Sequence, residues 1–297
     1  MEMKSRWYKQ GKELLEEINN SAPPPNAAHI WYMGQHGFVL SLGGLRIYID
    51  VILNALAGKD GQGILIDRRN YPPPFAPDEV NRIDYYLSTH NHGDHLNLKT
   101  ILPLARANPK TQFILPMPLV KILLEAGIEE SRVLGAQTMK PIDIDRGALG
   151  TLKMIPVPAI HTRYIQDEGE KDGKGDYLAL GFVIKTDRLS LYHPGDTWIT
   201  PGLVDALKAQ GPLDLAMLPI NGTDWERTAG NCIGNVSAMD AVKLALAVPI
   251  DLVIPSHYDM MPNNTENPAY FVDCMYRYCP EKRFHICALG ERFIYEK

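Results

Sequence analysis

Histidine is scarce in this chain, nine in 297 residues, yet three fall within the run His90-Asn91-His92-Gly93-Asp94-His95. With Asp94 the run offers four side chains able to ligate a cation, and imidazole together with carboxylate suits Zn, Mn or Fe. Side chains alternate along an extended strand, so His90 and His92, at the end of Ile83-Asp84-Tyr85-Tyr86-Leu87-Ser88-Thr89, are expected to face one way and grip one ion. A helix is expected to open at Leu96, which places Asp94 near a terminus whose partial positive charge favours a carboxylate. Asp94 and His95 thus offer ligands for a second ion. A polar turn with histidines clustered by chance is the plainer alternative, and it accounts poorly for that density.

The elements that must position such ligands are apolar runs, and three more of them end in a ligand type. Met154-Ile155-Pro156-Val157-Pro158-Ala159-Ile160 leads into His161, Leu189-Ser190-Leu191-Tyr192-His193-Pro194-Gly195 into Asp196, and Asp251-Leu252-Val253-Ile254-Pro255-Ser256 into His257. A single His or Asp after a strand is more often a turn residue. Four such sites in one chain point to ligands held at the ends of buried strands, where a rigid core fixes them.

Thr89-His90-Asn91-His92-Gly93-Asp94-His95-Leu96, followed by His161, Gly195-Asp196-Thr197 and His257, resembles the ordered ligand set of the metallo-β-lactamase superfamily. The resemblance implies a four-layer αβ/βα sandwich of the α/β class, two mixed β-sheets flanked by helices with metals at one edge. It implies that His90, His92 and His161 hold one ion, that Asp94, His95 and His257 hold the other, and that Asp196 bridges them. The cofactors would be one or two divalent ions, Mn or Zn. Tyr192-His193-Pro194-Gly195-Asp196-Thr197, Leu218-Pro219-Ile220-Asn221-Gly222 and Ile254-Pro255-Ser256-His257-Tyr258-Asp259 resemble the L-ascorbate-6-phosphate lactonase-like branch. This narrower likeness implies a lactonase acting on a sugar lactone, phosphorylated or not. The lactonase proper differs in carrying Asp where His161 stands and in a longer C-terminus. A metal-dependent phosphodiesterase is the rival activity, because the same chemistry serves attack on phosphorus. A non-catalytic metal-binding protein fits less well with seven ligand positions kept. A di-iron redox site fits poorly too, since the iron-binding relatives are expected to carry Glu in place of His92.

In the hydrolytic reading, a water held by divalent cations loses a proton near neutral pH and attacks a carbonyl carbon or phosphorus. Asp94 is the candidate to steer that water or accept its proton, as well as a ligand. Asn221, Arg227, Asn235 and Tyr258 are candidate substrate-binding residues. Asn235 could instead cap the following helix, and Tyr258 could pack beneath His257. Arg163 and Arg227 offer guanidinium forks for a phosphate or carboxylate, although a solvated surface role is the commoner one. His193, three residues before Asp196, is expected to hydrogen-bond rather than bind metal.

Composition is that of an ordinary globular protein, 45% hydrophobic and 22% charged. We expect one domain over residues 1–297, with an N-terminal helical arm at about 1–22 stopped by Pro23-Pro24-Pro25. A net charge of −5 supplies no basic field for nucleic acid or an acidic membrane. Cys232, Cys274, Cys279 and Cys287 form no C-x-x-C pair, and thiols are expected rather than disulfides. No segment has signal-peptide or membrane-span character, so a cytoplasmic location is expected; the family resemblance and the N-terminal arm imply a homo-oligomer, and the substrate is expected to be a small molecule.

Strands are expected near 30–33, 37–42, 45–50, 111–115, 151–158, 178–186, 188–193, 213–219, 251–255 and 283–295. Helices are expected near 97–107, 117–126, 201–210, 237–248 and 267–278. Residues 52–79, broken by glycine and by Pro72-Pro73-Pro74, read as a long loop able to form a flap over the substrate or a subunit contact.

Overall fold

Pro23-Pro24-Pro25 ends helix α1 (Gly11–Asn20) and releases the chain into an antiparallel meander of β1 (Ala27–Tyr32), β2 (Phe38–Leu42) and β3 (Leu45–Ile49). Gly43 and Gly44 make the second of its turns with φ of 57° and 83°, a region that only glycine enters without strain. The structure is a computed structural model that describes residues 6–55, 57–59, 65–67, 69–230 and 232–297.

A short antiparallel pair, β4 (Ala57–Lys59) and β5 (Leu65–Asp67), follows, and then β6 (Tyr85–Leu87), α2 (Leu98–Ala107), β7 (Gln112–Pro116), α3 (Val120–Glu125) and β8 (Val133–Ala136). Strands β6, β7 and β8 add to β3 in parallel, β7 and β8 through the helical crossovers of α2 and α3. The second half supplies β9 (Ile142–Asp145), β10 (Thr151–Pro158), β11 (Leu180–Lys185), β12 (Ser190–His193), α4 (Pro201–Lys208) and β13 (Leu213–Pro219). It continues with α5 (Trp225–Ala229), α6 (Ala238–Ala247), β14 (Ile250–Ser256), α7 (Pro268–Tyr278), β15 (Arg283–Phe284) and β16 (Arg292–Glu296).

Two seven-stranded sheets result, ordered β16-β1-β2-β3-β6-β7-β8 and β15-β14-β13-β12-β11-β10-β9. Each is antiparallel on one side and parallel on the other, the four-layer α/β sandwich expected.

Period-two alternation in the second sheet divides its residues between two cores. Met154, Leu191, Leu215, Met217, Leu252 and Ile254 pack with first-sheet residues such as Ile30, Leu40 and Ile47. Their chain neighbours Ile155, Tyr192, Ala216, Leu218 and Val253 pack instead with Leu203 and Leu207 of α4, Val242 of α6 and Phe271 of α7. Helix α1 turns Leu14, Leu15 and Ile18 onto its own domain's core rather than leaving them for a neighbouring subunit. Its last turn carries no basic residue, and the buried Arg46 of β3 takes that place. The Arg46 guanidinium donates to Ile18 O at 2.7 Å, to Asn19 O at 3.2 Å and to Ser21 O. These carbonyls have no partner within the helix.

Several expectations need correction. The apolar stretch near 283–295 is two strands in different sheets, because the chain turns at Gly290, φ 72°, and crosses from β15 to β16. Strands β8 and β9 and the short α5 were not anticipated. The flap expected over 52–79 falls partly on residues 56, 60–64 and 68, outside the described residues. Its described ends dock beside the 257–260 segment, where Asn70 N donates to Met260 O and Asn70 Nδ2 to Asp259 O.

Candidate metal centre

The C-terminal ends of β3, β6, β10, β12, β13 and β14 open onto one edge of the sandwich, and the sequence places Asp50, His90, His161, Asp196, Asn221 and His257 just beyond them. His90 and His92 do not lie on a strand, because β6 ends at Leu87 and the motif is a run of turns. Asp50 shapes this run. Its carboxylate accepts from Thr89 N at 2.9 Å, Thr89 Oγ1 at 2.6 Å and His95 Nδ1 at 2.8 Å, which aims the other His95 nitrogen at the site. Backbone bonds from His95 N and Leu96 N to His92 O close the turn. Helix α2 begins later than expected and is capped by Asn97, whose side chain accepts from Lys99 N, so Asp94 is not its cap.

Gly195 brings in the shared carboxylate. Its φ is 62°, and a Cβ there would lie 2.7 Å from the Thr89 Cβ. Only glycine lets β12 approach the motif this closely. His193 donates from Nε2 to His36 O at 2.8 Å and accepts from Gly195 N at 3.2 Å. It holds the turn and does not face the ligands.

Seven side chains form two adjoining groups, His90, His92, His161 and Asp196 in one and Asp94, His95 and His257 in the other. Asp196 spans them. Its Oδ2 lies 3.7 Å from His161 Nε2 and 4.0 Å from His90 Nε2, while its Oδ1 lies 3.4 Å from His95 Nε2 and 3.2 Å from His257 Nε2. Within the groups, His92 Nδ1 is 3.1 Å from His161 Nε2, and Asp94 Oδ2 is 3.6 Å from His95 Nε2 and 3.7 Å from His257 Nε2. Ligands about 2.1 Å from a tetrahedral cation stand about 3.4 Å apart, so these gaps are of the size a shared ion sets.

The donor atoms themselves test the fit. His90 Nε2, His95 Nε2 and Asp196 Oδ1 are buried without a hydrogen-bond partner, an arrangement that costs about 1–3 kcal/mol per atom unless something accepts their lone pairs. Divalent cations satisfy them. A third group, His285, Cys287 and Glu291, behaves differently. His285 Nε2 meets Glu291 Oε1 at 2.8 Å and Ala288 N donates to Glu291 Oε2 at 2.7 Å, so its oxygens are already engaged.

Charge is unequal across the centre. Burial, then the nearby His95 and His161, holds His90 well below the usual imidazole range. Burial pushes His161 down to about 4. Both are therefore neutral and ready to ligate. Burial also acts against protonation of His95, but Asp196, Asp94 and Asp50 outweigh it and raise that imidazole well above its ordinary value. Burial opposes ionisation of Asp196, and His257 and His95 overcome it.

A cleft of about 250 Å³ opens on the ligands His92, Asp94, Asp196 and His257, walled by Cys232, Ile233, Met261, Asn263 and Asn264. Three of the four nominated substrate residues join one network behind that wall. Asn221 Nδ2 donates to Asn264 Oδ1 at 3.0 Å, Asn235 Nδ2 to Asn221 Oδ1 at 3.3 Å, and Arg227 Nη1 to Asn264 Oδ1 at 3.0 Å. Arg227 is also tied to Asp224 at 2.6 Å and lines a neighbouring pocket. Ser237 rather than Asn235 caps α6. Tyr258 is buried, stacked on Tyr32 with ring centroids 6.2 Å apart, and does not line the cleft. Arg163 donates to Thr228 O in a more distant apolar groove.

Gln35, Asp50, Asp259 and Asn264 were given no role by the sequence reading; Asp50 follows an apolar strand as the candidate ligands do and Asp259 closes the quoted Ile254-to-Asp259 stretch, whereas nothing local marks Gln35 or Asn264. All four cysteines are thiols.

A family model described as a beta-lactamase superfamily domain matches residues 46–258. The chain is 28% identical over 246 residues to a UPF0173 metal-dependent hydrolase of Archaeoglobus fulgidus, covering 82% of this chain and 88% of that one. It is 30% identical over 225 residues to another of that description from Thermofilum pendens, covering 73% and 83%. Among solved structures it resembles a metallo hydrolase from Ignicoccus hospitalis, with a TM-score of 0.66 at 21% identity over 91% of this chain and 99% of that one.

Proposed function

We propose a reaction for this chain from its family: it belongs to the beta-lactamase superfamily, within which it is a metal-dependent hydrolase, and we infer that it opens lactones. When bound, divalent ions at the two groups supply Lewis acidity, which polarises the scissile carbonyl and lowers the pKa of water. His90, His92 and His161 would hold one ion, Asp94, His95 and His257 the other, and Asp196 would serve both. Of the two carboxylates that line the cleft, Asp94 is the better placed to take a proton from the incoming water, because its side chain is 21% exposed and that of Asp196 5%. The Asp94 carboxyl is ionised at neutral pH and so able to accept a hydrogen bond from that water. Burial acts against ionisation, but His95 and His257 outweigh it, so its pKa stays below the ordinary value.

The cleft wall is the observation that carries the substrate reading. Among the described residues it presents amides and apolar groups but no arginine or lysine, and the nearest guanidinium, Arg227, is paired with Asp224. A phosphate would need cationic donors. A neutral lactone needs only amides to orient its carbonyl and hydroxyls, which favours unphosphorylated lactones over phosphorylated ones. Metal-loaded protein assayed against both and against phosphodiesters should open neutral lactones fastest. Phosphodiester cleavage without lactone opening would overturn this reading.

The proposal extends to a cytoplasmic homo-oligomer. Exposed Trp225, Tyr164 and Ile165 share one apolar groove suited to a subunit contact. Light scattering that returns a single 33.3 kDa chain would reject the oligomer.

A further inference from the structure

Gln35, in the turn between β1 and β2, is fully buried and holds φ at 55°, a conformation rare for a residue with a Cβ. Such strain persists only where the surroundings over-determine it. The side-chain oxygen of Gln35 is buried without a hydrogen-bond partner, and its other polar groups meet the segment around the second ligand group. Its N–H donates to Asp259 Oδ1 at 3.0 Å, its carbonyl accepts from His257 N–H, and its Nε2 donates to Asp94 Oδ2 at 2.7 Å while lying 3.3 Å from His257 Nε2. His257 is itself at φ 60°. Asp94 Oδ2 is the oxygen that faces His95 and His257, so the amide donates to the very atom placed to ligate. With the amide reversed, its oxygen would oppose that carboxylate oxygen, so the hydrogen-bonding fixes its orientation. None of the hydrogen bonds found for Gln35 reaches His90, His92 or His161.

We propose that Gln35 is a positioning residue for the Asp94–His95–His257 metal position alone, fixing the rotamer of Asp94 on its own sheet and the backbone of His257 on the opposite one. The inference rests on the two-ion reading above. It makes the two positions separable: loss of the amide donor weakens one ion and spares the other.

The test titrates metal-free full-length protein with Mn and with Zn, counting bound ions and fitting each binding step. The variants are Gln35→Leu, which keeps the side chain's reach without a donor, and Gln35→Glu, which replaces the N–H with oxygen. Both should retain one step at wild-type affinity and weaken the other about 10–100-fold, the range seen when a residue supporting a ligand is lost. The retained step also reports that the variants have folded. Tyr71→Phe, which removes a neighbouring bond to Asp259 and leaves the Gln35 amide alone, should keep both steps. Two wild-type steps in Gln35→Leu, wild-type affinity in Gln35→Glu, or equal weakening of both steps would overturn the role of Gln35. A wild-type protein that binds fewer than two ions would overturn the two-ion reading and Gln35's role with it.

Discussion

Two glycines of the site have opposite requirements. A side chain at Gly195 meets a positive φ and the Thr89 side chain, which is fixed by its Oγ1 bond to Asp50 while the Thr89 N–H donates to the same carboxylate, so that it cannot yield without moving His90 and His95. Gly93 lies inside the ligand motif, yet a Cβ there meets nothing within 4 Å and its φ is not positive. Gly195→Ala should therefore cost roughly 1–3 kcal/mol in urea unfolding and weaken metal binding, whereas Gly93→Ala should stay within about 0.5 kcal/mol of wild type with metal binding intact. A large loss at Gly93, or none at Gly195, would contradict this division.

At the level of elements, β3 and α1 depend on one cation. Arg46 is buried beside helix carbonyls, and the nearest carboxylate, Asp84, accepts from its backbone N–H rather than its guanidinium. Burial lowers its pKa to about 10, so it stays charged at neutral pH. Arg46→Met would take the guanidinium donor from Ser21 O, while Ile18 O keeps Ser21 N–H and Asn19 O keeps Arg82 Nη1, and a loss of about 1–3 kcal/mol is expected. Hydrogen exchange should show α1 opening first while metal binding is retained; uniform destabilisation would argue against a local cap. The sequence shows why some elements were legible and others not. Strands such as β10 and β13 carry long apolar runs and were placed to the residue. Val133–Ala136 and Ile142–Asp145 are short and half-exposed, with no run to betray them. His90 and His92 fall in one group of candidate ligands, brought together by turn bonds to Asp50 and His92 O rather than by the expected strand alternation.

For the molecule as a whole, the two apolar cores are built without the candidate ligands, and the fold is expected to form without the ions. Removing metal with a chelator should lower the unfolding temperature by about 5–10 °C, as expected for a tight ligand binding only the folded state of a chain this size. Far-UV circular dichroism should stay unchanged, and unfolding on chelation would show instead that the ions build the fold. The ligands themselves were readable because the chemistry needs His and Asp at strand ends. Gln35, Asp50 and Asp259 were not, because ordinary polar residues gain their roles only when distant strand ends meet. The same remoteness governs how the protein is made. Strand β16 pairs with β1 across nearly the whole chain, Ala27 opposite Glu296. During synthesis β1 therefore waits with one backbone edge exposed, and the turn carrying Gln35 has no His257 or Asp259 to bind until β14 has been made. The nascent chain must pass through a state with the ligand motif complete and its support missing, the stage at which premature metal capture or edge-to-edge association is most to be expected.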